Sequence, residues 1–407
     1  MPRTLASVDL QLLRDYDVAA TPLHDCECAM LRSQLAALPS LQDISIVGLG
    51  AAACLSPGLD LAATFSQLTS IYLGSITSHA GVEKLLPALP ASLVQLGLAV
   101  DTPDRLTPGA VISDSDRQWL VQLQRGVQMA HLTALTALDV AGTRFVIGED
   151  SQLPPNLVSL KVPMVMHERP LLQLTRLQHL DVHNLDMLGA GGLAGIARCL
   201  TQLTSLKAVW MRLEDADAPA IIPALAALPL KSLNVMSYGP PQPAAADDIN
   251  FPAALGALLG QLTGLASLEL ATGSYRVADV AASLAHLTGL KVLALSTAAD
   301  QGGRSGLWGS VASYEALADA IVASKQLRVL RAAAYWLGPA AAEAGRPHPI
   351  MRLQAATQLS CLDLCDLEDL GPADDAVQQP DWETLLHSLP GVELGEELTL
   401  LRACLQP

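Results

Sequence analysis

The chain has 407 residues, of which 51% are apolar and only 3% aromatic, and 24 basic against 40 acidic residues give a net charge of −16. Because such a surface repels a phosphate backbone, we expect no nucleic-acid partner. The core must be built from leucine, alanine and valine. Seven cysteines spread along the chain do not resemble the disulfide framework of a small secreted domain, so we expect reduced thiols.

The first 37 residues carry no copy of the repeat described next. Met30, Leu31, Leu35 and Leu38 have helical spacing, and we predict an N-terminal helical cap over residues 1–37. A stacked array needs such a cap because its first unit would otherwise expose an apolar face. Charged residues interrupt the first thirteen positions, so we expect no secretory signal peptide.

The spacing L-x-x-L-x-x-L-x-L, as in residues 287–295, recurs along most of the chain at intervals of about 20 to 27 residues. The third apolar position of each of the twelve copies is Ile44, Ile71, Leu96, Leu138, Leu160, Leu180, Leu206, Leu233, Leu268, Leu293, Leu330 or Leu362. A repeat of this extent predicts one elongated domain over residues 38–368.

Each copy predicts a short strand followed by a helical or irregular return. The final L-x-L alternates with period two, so Leu293 and Leu295 point inward while the residues between and beside them point outward. Residues 277–287 and 192–200 have helical spacing instead. We expect those helices to pack on the strand layer.

Residues 174–182 and 262–270 match, position by position, the strand segment of the leucine-rich repeat family, which this chain resembles. The resemblance implies an α/β solenoid, a horseshoe with a parallel concave sheet and helical or irregular convex returns. The chain departs from the family where Asn or Cys commonly follows the strand. The residues found there are Leu49, Ile76, Val165, Leu185, Met211 and Leu367.

Four insertions lengthen the array, near residues 99–131, 236–252, 297–312 and 334–350. The first contains a capping box at Ser115 and predicts an extra helix. The second insertion is rich in Gly and Pro, and the third is rich in Gly. Both follow predicted strands, so we predict that they are loops at the edge of the sheet where the strands end. Residues 369–407, where the pattern decays, predict a C-terminal cap.

The strand at His179, Asp181 and His183 places three polar side chains on one face, the predicted concave face. Successive same-face residues lie about 6.5 to 7 Å apart, so one metal ion could take only an adjacent pair. The neighbouring Lys161 and Lys207 disfavour a cation, and we expect a solvated face with neither metal nor cofactor. The middle outward positions of four consecutive repeats alternate in charge: Asp139, Lys161, Asp181 and Lys207.

Six of the fourteen aromatic residues occur in segments that leave the strands of five successive repeats: Trp210, Tyr238, Tyr275, Trp308, Tyr335 and Trp336. Aromatic rings on loops are typical interface anchors, because they bury much area while ordering few torsions. We predict that they bind a protein partner. The alternative is that each ring seals the edge of the core at its own repeat.

No nucleophile, zinc-protease or phosphate-loop motif occurs, so we expect no enzyme activity. The G-x-G-x-x-A pattern beginning at Gly189 follows its strand too late for a dinucleotide site. Polar residues and the repeat interrupt the uncharged stretch 251–268, so no membrane span is expected. The resemblance implies a protein-interaction scaffold, in the cytoplasm or in cytoskeletal or axonemal assemblies. Two alternatives are a metal-dependent site at His179, Asp181 and His183, and a substrate receptor of a larger assembly such as a ubiquitin ligase.

Overall fold

The structure is a computed structural model, and it describes most of the strand layer and its returns. The described residues are 6–11, 30, 33–35, 37–38, 40–47, 67–76, 85–100, 126–142, 145–185, 188–210, 218–237, 253–272, 277–296, 311–333, 348–365, 382–389, 391–396 and 398–399. The predicted insertion helix and the loops at 238–252 and 297–310 lie outside them.

The chain divides into two compact units, Met1–Leu203 and Thr204–Pro407. The strands of the first are β1 (Ser7–Gln11), β2 (Asp43–Val47), β3 (Ser70–Ile76), β4 (Gln95–Val100), β5 (Ala137–Ala141), β6 (Val146–Ile147), β7 (Ser159–Val165) and β8 (His179–Asn184). They form a parallel sheet in the order β1-β2-β3-β4-β5-β7-β8, and β6 pairs with β7.

The second unit repeats this arrangement. Its strands are β9 (Ser205–Trp210), β10 (Ser232–Ser237), β11 (Ser267–Thr272), β12 (Val292–Ser296), β13 (Val329–Ala333), β14 (Cys361–Cys365) and β15 (Glu393–Leu394). They lie in sequence order and pair in parallel. Each strand has its sequence neighbour beside it, as a stack of repeats requires.

The twelve predicted apolar positions are confirmed as the inner ladder of the sheets. None is more than 2% exposed. In the first unit they pair in register from Ile44 to Leu180, and in the second from Leu206 to Leu362. Because a slip of one residue would turn every leucine to solvent, this ladder fixes the register.

The first half of the template folds as a tight turn before each strand. In one copy the amide of Leu290 donates to the carbonyl oxygen of Leu287 at 3.1 Å, and in another Leu177 donates to Leu174 at 2.9 Å. All four side chains are buried. A four-residue turn that buries both of its end residues requires the L-x-x-L spacing, so this half of the pattern follows from the backbone conformation.

The returns are helical in places, as predicted. The helices are α1 (Gly189–Cys199), α2 (Ala218–Ala226), α3 (Ala253–Gln261), α4 (Val277–Leu284), α5 (Val311–Ala323) and α6 (Trp382–His387), with 3-10 helices at Leu86–Ala88 and Pro349–Ala355. Val280 and Leu284 of α4, and Leu193 and Ile196 of α1, are buried. Their apolar faces therefore complete the core behind the strands.

Three details go beyond the sequence pattern. Strand β1, inside the segment predicted as an N-terminal cap, pairs with β2 through Val8 and Ile44. Strand β15 pairs with β14 in the same way, through Leu394 and Leu362. Val165 and Leu185, which stand where the family commonly has Asn or Cys, are only 0% and 3% exposed. Apolar packing takes the place of a buried amide at these two positions.

Candidate interaction surface

The outward positions of the strands form one polar side of each sheet, which we call the open face. On β8 the pattern is clear, since Leu180 and Val182 are buried while His179 and His183 are exposed and Asp181 is half-buried. The predicted placement of these three polar residues on one strand face is therefore present. Lys207 of β9 is also half-buried at an outward position.

The predicted charge row is present on the open face of the first unit. Asp139, Lys161 and Asp181 are register partners on β5, β7 and β8. The Lys161 Nζ atom lies 3.0 Å from Asp139 Oδ2, and the two side chains are 48% and 51% exposed. An ion pair this exposed contributes little stability, and its predicted effect on the register of the strands stays a prediction.

Two strands carry residue types that bind metals, β8 with His179, Asp181 and His183 and β14 with Cys361, Asp363 and Cys365. Among the described residues, no group of three or more His, Cys, Asp or Glu side chains is placed to hold a metal ion. On β14, burial together with Glu393 and Asp363 raises the pKa of the Cys361 thiol. A thiol that keeps its proton is a poor metal ligand and a poor nucleophile.

The open face of the second unit carries a polar pair that the sequence analysis missed. Asn234 Nδ2 donates to Glu269 Oε2 at 2.6 Å across the β10–β11 pairing. Asn234 is only 7% exposed, and its Oδ1 atom has no hydrogen-bond partner among the described residues. Further along, Arg331 lies 3.9 Å from Asp363. All four residues occupy the same middle outward position as Asp139 and Lys161. That shared position in the repeat could have identified them as neighbours from sequence.

A second feature missed from sequence is an aromatic ring on the open face of the first unit. Tyr72 is at the middle outward position of β3 and is 41% exposed. Its register partner on β4 is Gly97. A β-carbon added to Gly97 would collide with Tyr72 Cδ2 and lie 3.2 Å from Cε2. The ring therefore fills the space that a side chain at position 97 would occupy.

The six predicted rim aromatics fall almost entirely outside the described residues. Trp210 is the last residue of β9, and nothing is described of its side chain. Tyr238, Tyr275, Trp308, Tyr335 and Trp336 lie outside the described residues. Strands β9 to β13, which precede them, are parallel, so their carboxyl ends lie along one edge of the sheet.

The glycine-rich start of α1 carries an acidic neighbour. Gly189 begins the helix with a φ of +59°, a conformation that favours glycine. A β-carbon on Gly192 would lie 3.2 Å from the Glu168 carboxylate. A carboxylate this close to the start of the helix would repel a phosphate group, which favours the structural interpretation of these glycines over a phosphate site.

In the described part of the chain, no helix is long and apolar enough to cross a membrane. The uncharged stretch considered from sequence contains α3, which ends at Gln261, and the first residues of β11. Leu262, Leu265 and Leu268 are buried in the repeat core. Its apolar character therefore has a packing explanation.

The in-register parallel strands, the buried leucine ladder and the helical or irregular returns define each unit as an α/β solenoid of the leucine-rich-repeat type. No protein-family model matches the chain, and no curated protein matches it. A crystal structure of the TLR13–ssRNA13 complex does match, with 15% sequence identity and a TM-score of 0.40. The alignment covers 81% of this chain and 44% of that one, so the chain spans less than half of that protein's length. A similarity of this size carries no argument about what this chain binds.

Proposed function

We propose that this chain is a non-enzymatic scaffold of the leucine-rich repeat family, and that it binds a partner protein through the open faces and the loop rim. By loop rim we mean the segments that follow β9 to β13. The observation that carries the proposal is the contrast between the two sides of each strand. The inward side is a continuous buried ladder, whereas Asp139, Lys161, His179 and His183 are exposed outward. A rigid sheet that presents polar side chains in fixed register is suited to recognising an extended partner surface.

The loop rim supports the same role through its aromatic residues. Tyr238 directly follows the last residue of β10, and Tyr335 follows the last residue of β13 by two positions. In sequence, both residues come shortly after strands whose carboxyl ends share one edge of the sheet, and we propose that their rings serve as anchors there. Anchors of this kind supply much of the energy in protein interfaces.

The cysteines support a cytoplasmic location for this scaffold. In the described part of the chain, Cys199 and Cys361 form no disulfide bond. The register partners of Cys361 on the neighbouring strands are Val329 and Glu393. Free thiols of this kind are typical of a reducing compartment.

The experiment is affinity capture of the tagged full chain from its native cell, with mass spectrometry of what is retained. The captured partner is then compared between the wild type and a variant with alanine at Tyr238, Trp308 and Trp336. We expect the variant to lose at least about ten-fold in affinity while unfolding remains cooperative, because interface anchors each contribute more than about 1 kcal/mol. Arg198→Ala on α1 is exposed on a helical return and is the matched control.

Two results would contradict parts of this proposal. Unchanged capture by the triple variant would exclude the loop rim. Loss of cooperative unfolding would show that the rings seal the core, and Asp139→Asn with Lys161→Met would then test the open face alone.

A further inference from the structure

Tyr72 is one of only two large apolar side chains that are exposed among the described residues, the other being Met30. It stands on a rigid strand whose inward neighbours Ile71 and Leu73 are 1% and 0% exposed. An exposed ring at such a position is unusual, because a sheet face in water normally carries polar side chains there.

The register of the sheet explains how the ring is held. Tyr72 pairs with Gly97, and the ring occupies the space above that glycine, with Cγ 3.4 Å from the position of an added β-carbon. The next partner along the same row is Asp139. With strands about 4.8 Å apart, the Tyr72 and Asp139 α-carbons are separated by roughly 10 Å, with only a glycine between them.

The charge of this open face is unbalanced. The outward positions of the first unit's described strands carry Asp9, Asp43, Asp139 and Asp181 but only one lysine or arginine, Lys161, together with the imidazoles of His179 and His183. Around the ring the outward residues are small or uncharged: Ser45, Ser70, Gly74, Gln95 and Ala99. The surface beside Tyr72 therefore carries short, uncharged side chains and is bordered by carboxylates.

We propose that Tyr72, lying over Gly97 and followed by Asp139, is a docking platform for an arginine side chain on a basic extended segment of the partner protein. A guanidinium group stacks on an aromatic ring and pairs with a carboxylate through its planar edge. The Asp139 carboxylate already pairs with Lys161, but its side chain is 51% exposed, and a carboxylate can accept more than one hydrogen bond. This inference rests on the proposed function, since it names the chemistry of the partner that the open face of the first unit would take.

The test uses fluorescein-labelled decapeptides of alternating arginine and serine, or of lysine and serine, titrated into the full chain by fluorescence anisotropy. In an extended peptide, alternate residues share one face. We expect the arginine peptide to bind more tightly than the lysine peptide. Tyr72→Leu should weaken the arginine peptide about two- to five-fold and abolish that preference, whereas Tyr72→Phe should preserve both.

Asp139→Asn should weaken both peptides and reduce the dependence of binding on salt. Arg198→Ala should change nothing, and equal unfolding midpoints for Tyr72→Leu and Tyr72→Phe exclude a folding defect. Unchanged binding by Tyr72→Leu would overturn the platform, as would an equal loss with Tyr72→Phe. Tighter, Tyr72-dependent binding of a uridine decanucleotide would also overturn it, in favour of base stacking.

The arginine platform at Tyr72 and the scaffold role of the chain can be rejected separately. If the native partner is captured but Tyr72→Leu binds the arginine peptide as the wild type does, the platform alone is rejected. If the arginine peptide binds through Tyr72 but no partner is captured, the scaffold role is rejected.

Discussion

A double-mutant cycle on Asp139 and Lys161 tests whether the charge row contributes to the register of the first unit. The donor and acceptor atoms are 3.0 Å apart, and Coulomb's law in water gives about 1.4 kcal/mol of attraction at that distance. Holding two half-exposed side chains in one geometry costs part of this. We expect a coupling energy of about 0.2 to 1 kcal/mol.

The cycle consists of the wild type, Asp139→Asn, Lys161→Met and the double variant, unfolded in urea at 20 mM and 500 mM NaCl. The coupling should be present at low salt and fall by at least half at high salt, because the pair is exposed to screening. A stronger perturbation is Lys161→Glu, which places three acidic side chains on consecutive strands and should destabilise mainly at low salt. A coupling indistinguishable from zero at 20 mM NaCl would refute the role of this row.

The remaining predictions concern the core, one turn and one buried phenol. Leu293→Ala and Phe145→Ala remove side chains that are 0% and 1% exposed and should cost about 2 to 5 kcal/mol, independent of salt; urea unfolding measures this, and a cost below about 1 kcal/mol would contradict the packing. Gly126→Ala should destabilise by more than about 1 kcal/mol, since Gly126 has a φ of +64° and an added β-carbon would collide with the Asp150–Ser151 peptide; a neutral or stabilising effect in thermal unfolding would argue against that conformation. Burial raises the pKa of Tyr314 to about 12 from 10.0, so the unfolded chain loses this proton at a lower pH than the folded chain does. The free energy of unfolding should therefore fall as pH rises from about 10 to about 12. Tyr314→Phe should make that fall shallower, and identical pH profiles for the two proteins would reject this cause.

The leucine ladder was predictable from sequence because burial constrains every member of it. Leu268, Leu293 and Leu330 must all face inward in a period-two strand, so their spacing alone fixes both the strands and their register. The pairing of Asp139 with Lys161 then followed without further information, since residues at the same offset in neighbouring repeats become register partners. A local pattern repeated at a fixed period thus determined long-range contacts.

The features that escaped prediction depend on what stands on the neighbouring strand. Tyr72 can lie over position 97 only because that residue is glycine, and Gly97 by itself resembles any glycine in a strand. Asn234 and Glu269 form a hydrogen bond across the sheet; their shared middle outward position predicts that they are neighbours, but not that their side chains bond. Strands β1 and β15 escaped prediction because the sequence around them lacks the full template, although they pair in parallel with β2 and β14.

The claim that the open face and the loop rim bind a partner is tested most directly by hydroxyl-radical footprinting of the full chain with and without its captured partner. Aromatic side chains react rapidly and report their own exposure. We expect the partner to lower the oxidation of Tyr72 and of the rim residues Tyr238, Trp308 and Trp336, and to leave His286, which is exposed after α4, unchanged. Protection at His286 and on the helical returns, with the four aromatic residues unaffected, would contradict it.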